Sequence, residues 1–279
     1  MKQTALNKLR QLISDEPSLH CPMDDAFLVK FLRARKYDTQ AAFKNVRKYF
    51  KVRKDRPEMF SDLTLRRILF DTVCRKHRLA TVSRHKDPMG RVAVLLKIGS
   101  WNTEMCSLND FFRVSLVLVE HILLLEDTQV RGIVAVIDLK GLNIYHVAHY
   151  TPSVIRTTIN LAQECMPLRL KGIYFINSPP IFAFFFAIIK TFLKAKLLKR
   201  TRLFGYDLKE LQQLVPDDVI PEENGGTNES YDFDQLKREL EGEESFFQKL
   251  GSYGYRDTPT NTEPDSNGLL NDDILLRKD

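Results

Sequence analysis

Three short runs of apolar, largely β-branched residues constrain the fold of this chain more than any other feature. They lie at residues 91–98 (RVAVLLKI), 132–138 (GIVAVID) and 172–177 (GIYFIN). Helical patterns over residues 108–125 and 152–165 separate them. Apolar strands that alternate with helices are typical of a largely parallel sheet covered by helices on both faces. The sequence therefore predicts an α/β domain.

A fourth run, residues 79–84, precedes the turn formed by Asp87, Pro88, Met89 and Gly90. Asp, Pro and Gly are the residues that favour tight turns. We therefore expect this run to pair with the strand at residues 91–98 through that turn.

The chain before residue 76 has helical patterns instead of strands. Asp24 and Asp25 precede apolar residues at three- and four-residue spacing, and Asp38 is the expected N-cap of a helix that runs to Arg53. We expect a third helix over residues 63–75. The pattern predicts a small helical bundle over residues 1–75 and the α/β domain over residues 76–250. The Asp-, Asn-, Thr- and Pro-rich residues 251–279 are expected to form an acidic disordered tail.

Charge is divided unevenly along the chain. Residues 207–279 contain 19 acidic and 7 basic residues, whereas residues 1–206 contain 35 basic and 17 acidic residues. A basic body of this kind suits an anionic surface. Nucleic acid and an anionic membrane are both candidates on charge alone.

Motifs that carry catalytic or metal chemistry are missing from the sequence. It has no GxSxG, P-loop, GxGxxG or HExxH pattern. His146 and His149 form an HxxH pair, but no other His or Cys lies near them in sequence to complete a metal site. We therefore expect no enzyme activity, no cofactor and no metal.

The cysteines and the apolar runs bear on the compartment of the protein. The four cysteines are scattered and form no CxxC pair, which is typical of reduced residues in an intracellular protein. The longest apolar run, residues 181–189, is far shorter than the roughly 20 residues that a membrane span needs. We expect neither secretion nor a transmembrane helix.

The segment from residue 172 to residue 205 is the most informative for function. After Ser178, Pro179 and Pro180 it contains IFAFFFAII, which is apolar on every side of a helix. Six basic residues without an intervening acid follow: Lys190, Lys194, Lys196, Lys199, Arg200 and Arg202. Core packing alone would account for the apolar helix, and a solvated helix face alone would account for the basic residues. Because the apolar helix and the basic residues are adjacent, a membrane interface is favoured over nucleic-acid binding. Surfaces that bind nucleic acid usually have aromatic side chains interleaved with basic ones.

Several segments resemble one family. FLRARKYD (residues 31–38), GIVAVIDLKG, the TPS at residues 151–153, PLRLKGIYFINSPPIF (residues 167–182) and IPEENGG (residues 220–226) are similar to the CRAL-TRIO lipid-binding proteins, in particular the α-tocopherol transfer protein branch. The resemblance extends over residues 24–250. It implies a helical N-terminal domain and an α/β domain whose sheet forms the floor of a hydrophobic cavity. It also implies that the segment after Pro180 is a mobile lid helix.

The resemblance implies which residues form the cavity wall. They are Phe112, Ser115, Ile133, Ile137, Leu161, Ala162, Phe182 and Phe186. Ser115 is the polar member and could bond a ligand hydroxyl. The α-tocopherol transfer protein branch carries a second hydroxyl residue one turn after this serine, where this chain has Val119. This difference argues against tocopherol itself as the ligand. Because neighbouring helical residues point about 100° apart, we expect Phe185 to face outward.

The resemblance also implies a phosphoinositide-binding cluster. With Lys190 from the basic run, its members are Arg35, Arg169, Lys171, Lys190, Lys196 and Arg200. We therefore expect a monomeric cytoplasmic carrier that takes a small lipophilic ligand, such as a tocopherol, another isoprenoid or a retinoid. It would transfer this ligand between membranes and associate reversibly with phosphoinositide-containing endosomal or plasma membranes.

Three alternatives remain open at this point. A phosphatidylinositol/phosphatidylcholine exchange protein would need polar groups deep in the cavity. A lipid-ester hydrolase would need a nucleophile beside a base. An adaptor that transfers nothing would keep its lid closed and recruit a partner through the acidic tail.

Overall fold

The computed structural model describes residues 2–222, 226–227 and 232–256. Its N-terminal part contains helices α1 (Lys2–Ser14), α2 (Asp25–Ala34), α3 (Thr39–Asp55) and α4 (Pro57–Phe60), a short strand β1 (Leu19–His20) and a π-helical turn (Asp71–Lys76). The Asp24 carboxylate accepts a hydrogen bond from the N–H of Phe27 at 2.8 Å, and Asp38 accepts one from Ala41 at 2.9 Å. Both predicted helix starts are confirmed, because each aspartate satisfies a free backbone N–H.

The prediction of a helix over residues 63–75 is wrong. Residues 61–69 form turns and irregular backbone, and the regular helix is confined to the end of the predicted range. Asp62 has a φ of 46°, and the N–H of Leu65 donates to the Glu244 carboxylate at 3.1 Å. Tertiary contacts therefore override the local helical pattern here.

A five-stranded sheet forms the centre of the protein. Its strands are β2 (Ala80–Lys86), β3 (Val92–Lys97), β4 (Ile133–Asp138), β5 (Leu170–Ile176) and β6 (Thr201–Leu203), in that order across the sheet. β2 and β3 are antiparallel and the other pairs are parallel. The Asp87 side chain accepts from the N–H groups of Met89 and Arg91 at 2.9 Å each, which closes the predicted turn. The α/β fold class and its mostly parallel sheet are confirmed.

The remaining helices lie between and after these strands along the chain. They are α5 (Leu108–Ile122), α6 (Glu126–Arg131), α7 (Ile144–His149), α8 (Pro152–Asn160), α9 (Phe182–Phe192), α10 (Ala195–Leu198), α11 (Lys209–Gln212), α12 (Phe233–Gly242) and α13 (Glu244–Gly251). A π-helical turn (Leu161–Cys165) continues α8, and a 3-10 turn (Asp217–Val219) follows α11. Gly132 has a φ of 88° and ends α6 where a Cβ atom would lie 2.3 Å from the carbonyl oxygen of Arg169, so glycine is required there.

The two faces of the sheet are packed differently. On one face, Val134, Val136 and Tyr174 pack against Phe204, Leu211 and their neighbours from the segment that contains α11. The alternate residues of the same strands, such as Ala135 and Ile137, point to the other face. Helices α5, α8 and α9 lie over that second face.

The N-terminal helices share a core with the α/β part. One continuous cluster of buried apolar residues includes Leu6 and Phe31 from the N-terminal helices and Val117 from α5. Strand β7 (Gly254–Tyr255) pairs with β1, so the chain stays folded beyond residue 251, where the tail was expected to begin. The rest of that predicted tail, residues 257–279, lies outside the described residues.

A buried ionic network joins the N-terminal helices to α5. The fully buried Glu120 accepts hydrogen bonds from the Tyr49 hydroxyl at 2.5 Å and from Arg53 Nη2 at 2.6 Å, and its Oε2 lies 3.5 Å from Lys30 Nζ. Burial alone would raise the pKa of Glu120, but the cations Lys30 and Arg53 outweigh it, so the pKa is lowered. Glu120 is therefore an anion that compensates two buried cations.

We predict that Glu120→Ala destabilises the protein by about 3–5 kcal/mol, because it leaves the charges of Lys30 and Arg53 buried without their partner. The matched control is Glu126→Ala, which removes the carboxylate that pairs with Arg33 but is 75% exposed. The control should change the free energy of unfolding by at most about 1 kcal/mol. Urea denaturation measures both variants. Equal losses would show that the buried network does not hold these helices together.

Candidate functional site

A cavity of about 260 Å³ lies between the second face of the sheet and helices α5, α8 and α9. The described side chains that line it are apolar except for three hydroxyl residues, Ser115, Tyr150 and Thr158, and none of them is charged. The volume is close to the lower end of ligand cavities, which is about 300 Å³. A dry, uncharged cavity of this kind suits an apolar molecule.

The strands supply the floor of the cavity through their two-residue periodicity. Ile133, Ala135 and Ile137 of β4 line it, whereas Val134 and Val136 lie in the core on the opposite face. Neighbouring strands are in register with β4: Val94 pairs with Ala135, and Ala135 pairs with Ile173. The floor is therefore a row of small and β-branched side chains held by backbone hydrogen bonds.

Helix α9 closes the cavity on the side away from the sheet. Phe182, Phe185 and Ile189 line the cavity, while Phe184 is 66% exposed. Around the helix axis, the side chain of Phe185 lies about 60° from that of Phe182, and the side chain of Phe184 lies about 160° from it. The helix therefore presents one apolar face to the cavity and another to solvent.

The prediction that Phe185 faces outward is wrong, since Phe185 is only 5% exposed and belongs to the wall. The exposed phenylalanine is Phe184. Phe186, expected in the wall, is not among the lining residues; its ring packs 6.0 Å from Phe175 and 5.9 Å from Phe182. Around the axis of α9, Phe185 and Phe186 lie about 60° and about 40° to either side of Phe182. All three rings therefore lie on the sheet side of α9, but only Phe182 and Phe185 reach the cavity.

The other seven residues predicted for the wall all line the cavity. They are Phe112, Ser115, Ile133, Ile137, Leu161, Ala162 and Phe182. The Ser115 hydroxyl donates to the Phe111 carbonyl oxygen at 2.8 Å, so it can only accept a hydrogen bond from a ligand. Their roles in ligand binding stay predictions.

Several residues that line the cavity were not predicted from the sequence. They include Val94 and Leu96 of β3, Tyr150, Thr158, Ile189 and Leu193. The alternation along β3 could have identified its two residues once the inner face of β4 was chosen. Tyr150 lies between two helices, where no periodicity indicates its direction.

The C-terminal end of α9 is attached to the π-helical turn that follows α8. Gln163 Nε2 donates to the Phe192 carbonyl oxygen at 2.9 Å, and its Oε1 accepts from the N–H of Lys194 at 3.2 Å. The Glu164 carboxylate forms ion pairs with both Lys194 and Lys48. These contacts fix one end of α9 next to the N-terminal helices, while Pro179 and Pro180 lead into its other end.

Basic side chains gather where β5 and β6 begin. Burial lowers the pKa of Lys171, and the nearby charges of four other cations lower it further: Arg169, Arg200, Arg91 and Lys196. We call these five residues the basic patch. Arg200 Nη1 donates to the Leu170 carbonyl oxygen at 2.9 Å, and Arg169 Nη1 to the Val130 carbonyl oxygen at 2.6 Å. Pairing of adjacent strands therefore concentrates positive charge from distant segments.

The other two basic residues predicted for the phosphoinositide site have different surroundings. Arg35 Nη2 lies 3.4 Å from the Glu164 carbonyl oxygen, and burial lowers its pKa. Lys190 Nζ lies 5.4 Å from the centre of the Phe186 ring on α9. Arg91, which pairs with Asp87, belongs to the basic patch but was not predicted. A role in phosphoinositide binding stays a prediction for all of them.

Both ring nitrogens of His146 are engaged by the chain. Nε2 lies 3.0 Å from the Trp101 carbonyl oxygen, and Nδ1 accepts from the N–H of Asn143 at 3.2 Å. Among the described residues, no three His, Cys, Asp or Glu side chains converge as they would around a metal ion. The four thiols are buried and free, and burial raises the pKa of Cys21 to about 12. No helix in the described part of the chain is long and apolar enough to cross a bilayer.

Comparison with known proteins matches both parts of the chain, the helical N-terminal part and the α/β part. The family model of the CRAL/TRIO N-terminal domain matches residues 5–48, and that of the CRAL/TRIO domain matches residues 76–226. The crystal structure of Sfh5 superposes with a TM-score of 0.60 at 17% identity, covering 84% of this chain and 90% of that one.

Two curated relatives are similar over most of the chain. The human alpha-tocopherol transfer protein-like protein (Homo sapiens) is 35% identical over 223 residues, which are 78% of this chain and 64% of that protein. Clavesin-1 from Xenopus laevis is 32% identical over 243 residues, 85% of this chain and 71% of the relative. The chain thus spans just under two thirds of the tocopherol-transfer-like relative. With both family models matched in order and the apolar cavity built on the same domain, the chain belongs to the CRAL-TRIO lipid-binding family.

Proposed function

We propose that this protein is a monomeric cytoplasmic carrier of one small lipophilic molecule, which it transfers between membranes. The observation that carries the proposal is the apolar cavity closed by α9. Transfer is an exchange in which no bond is made or broken, so it requires no catalytic group, cofactor or metal. The ligand belongs to the tocopherol, isoprenoid or retinoid type, because these molecules are mostly apolar and carry few polar atoms.

The composition of the cavity wall argues against the main alternative, a phospholipid exchange protein. A phosphate headgroup inside the cavity would be a buried charge, which is unfavourable without a cation or many hydrogen-bond donors. The described wall supplies neither. It also brings no nucleophile beside a general base, as a lipid-ester hydrolase would need. An adaptor that never releases its ligand would have no use for the exposed apolar side of α9.

Ligand entry requires α9 to move away from the sheet, and we propose that α9 is the lid. Phe184, 66% exposed, together with Leu198, 36% exposed, gives the lid region an apolar outer surface. Buried in the acyl boundary of a bilayer, this surface would stabilise the open lid. The Gln163 and Glu164 contacts at the far end of α9 would act as the hinge.

We predict opposite effects for two neighbouring phenylalanines of the lid. Phe184→Asp should weaken binding to vesicles by roughly 10- to 100-fold, because it removes about 1.5–3 kcal/mol of apolar burial. It should leave the affinity for retinol in detergent unchanged. Phe185→Asp should abolish retinol binding, because it places a carboxylate in an apolar wall.

Vesicle flotation and retinol fluorescence measure the two activities separately. Each variant serves as the control for the other, since both introduce one aspartate into the same helix. If both variants lose both activities to the same extent, α9 does not have the two separate faces on which the lid proposal depends.

We propose that the basic patch attracts the protein to phosphoinositide membranes, endosomal or plasma, with Arg35 and Lys190 as further contacts. Each exposed basic residue near an anionic bilayer contributes on the order of 1 kcal/mol, and salt weakens this attraction. The side chains of Arg169 and Arg200 donate hydrogen bonds to backbone carbonyl oxygens. No such bond to the described backbone is found for Lys171 and Lys196, so these two residues are best suited to a test. The mutual repulsion of the patch would be relieved by a multiply charged phosphate headgroup.

We predict that Lys171→Glu with Lys196→Glu lowers affinity for phosphoinositide vesicles by more than about tenfold at low salt. The effect should shrink at high salt and be absent on neutral vesicles, where only apolar contacts act. The control is Lys8→Glu with Lys249→Glu, which changes the net charge equally on the exposed surfaces of α1 and α13. Co-sedimentation at two salt concentrations measures all three proteins.

Equal losses in the two double variants would mean that net charge alone, and not the basic patch, drives binding. Tight, salt-sensitive binding to RNA that only Lys171→Glu with Lys196→Glu abolishes would overturn the membrane proposal in favour of nucleic acid.

A further inference from the structure

Tyr150 is a cavity residue whose hydroxyl has no evident structural role. It lies between α7 and α8, where its N–H donates to the His146 carbonyl oxygen at 2.8 Å. Its ring packs edge-on against buried Trp101, with ring centres 5.9 Å apart, and the residue is 9% exposed. Backbone and ring contacts therefore hold Tyr150 in position beside the cavity, which this residue lines.

The Tyr150 hydroxyl is buried and has no hydrogen-bond partner among the residues that the structure describes. Burial raises the pKa of Tyr150, so the phenol keeps its proton at neutral pH. A buried donor without an acceptor is unfavourable, and most such groups in proteins are satisfied. A partner that enters the cavity would remove this penalty.

The other two hydroxyls of the wall are not free to donate. Ser115 donates to the Phe111 carbonyl oxygen at 2.8 Å, and Thr158 Oγ1 donates to the Val154 carbonyl oxygen at 3.0 Å. Each hydroxyl has a single proton, so both can only accept from a ligand. Among the three lining residues with side-chain hydroxyls, Tyr150 is thus the one whose proton is not already donated within the described protein.

We propose that Tyr150 selects the ligand: it donates a hydrogen bond to an uncharged oxygen acceptor, a carbonyl or hydroxyl oxygen, at the end of an apolar skeleton. This inference rests on the proposed function, because it concerns the ligand of the same cavity. The acceptor is uncharged because no cation lines the described wall to compensate a carboxylate or a phosphate. A pure hydrocarbon would leave the donor unsatisfied and would bind more weakly.

Three probes with one C15 isoprenoid skeleton test the inference: farnesal carries an aldehyde, farnesol a hydroxyl, and farnesene no oxygen. Wild-type protein should bind farnesal and farnesol more tightly than farnesene. Tyr150→Phe should lower the affinity for farnesal and for farnesol by about three- to tenfold, which is the usual contribution of one neutral hydrogen bond. Its affinity for farnesene should be unchanged, because the ring that forms the wall is retained. Equilibrium partitioning with chromatographic quantitation measures the affinities.

The matched control is Tyr174→Phe, which removes a hydroxyl from a buried tyrosine on the opposite face of the sheet. It should leave all three affinities unchanged. Tyr150→Phe should also retain the thermal stability of the wild type, since its hydroxyl bonds to nothing in the described protein.

The outcomes separate this inference from the proposed function. Suppose that wild type binds the probes and that Tyr150→Phe lowers the affinity for all three equally, or for none of them. Tyr150 is then a packing residue, and the inference is overturned while the proposed function stands. If wild type binds none of the three, the isoprenoid type of ligand is excluded from the proposed function, and the selection by Tyr150 is overturned with it.

Discussion

The central sheet has two apolar faces, and packed side chains fill the space over only one of them. On the filled face, Val134, Val136 and Tyr174 meet the segment around α11. On the other face, Ala135 and Ile137 form the floor of a cavity that helices cover without occupying. Close packing is the rule inside proteins, so an apolar space of this size requires walls that resist collapse.

The buried network around Glu120 attaches one of these walls to the N-terminal helices. Glu120 lies on α5, the helix that also carries Phe112 and Ser115 of the wall, and it binds Tyr49 and Arg53 of α3. α5 is therefore held from outside the cavity. α9, by contrast, is attached at its end through Gln163 and Glu164 and contributes side chains to the wall along its length. α5 and α9 thus differ in how they are held, and this difference is what the proposed movement of α9 requires.

The sequence predicted those features that depend on local chemistry or on periodicity. Asp24 and Asp38 cap helices because a short carboxylate reaches the free N–H groups of the next turn, and this requires no tertiary contact. The strands followed from continuous apolar runs flanked by helices. The first half of the helix expected over residues 63–75 did not form, and there Glu244, distant in sequence, accepts a hydrogen bond from the N–H of Leu65. The orientation of Phe185 depended on which arc of α9 meets the sheet, and helical spacing alone does not fix that choice.

The cavity itself was accessible to sequence analysis only through family resemblance. Resemblance identified seven wall residues but could not reveal that Ser115 and Thr158 have already donated their protons to helix carbonyl oxygens. It also gave no reason to single out Tyr150, whose direction is set by the connection between α7 and α8. Likewise, the basic patch acquires Arg91 through strand pairing, which brings residues distant in sequence together.

Native mass spectrometry of the purified protein would show whether the cavity carries one small, uncharged lipophile. We expect a single species that is heavier than the apoprotein by the mass of one neutral lipid of tocopherol, isoprenoid or retinoid type, identified after extraction. A phospholipid bound at unit stoichiometry and not displaced by retinol or tocopherol would contradict it.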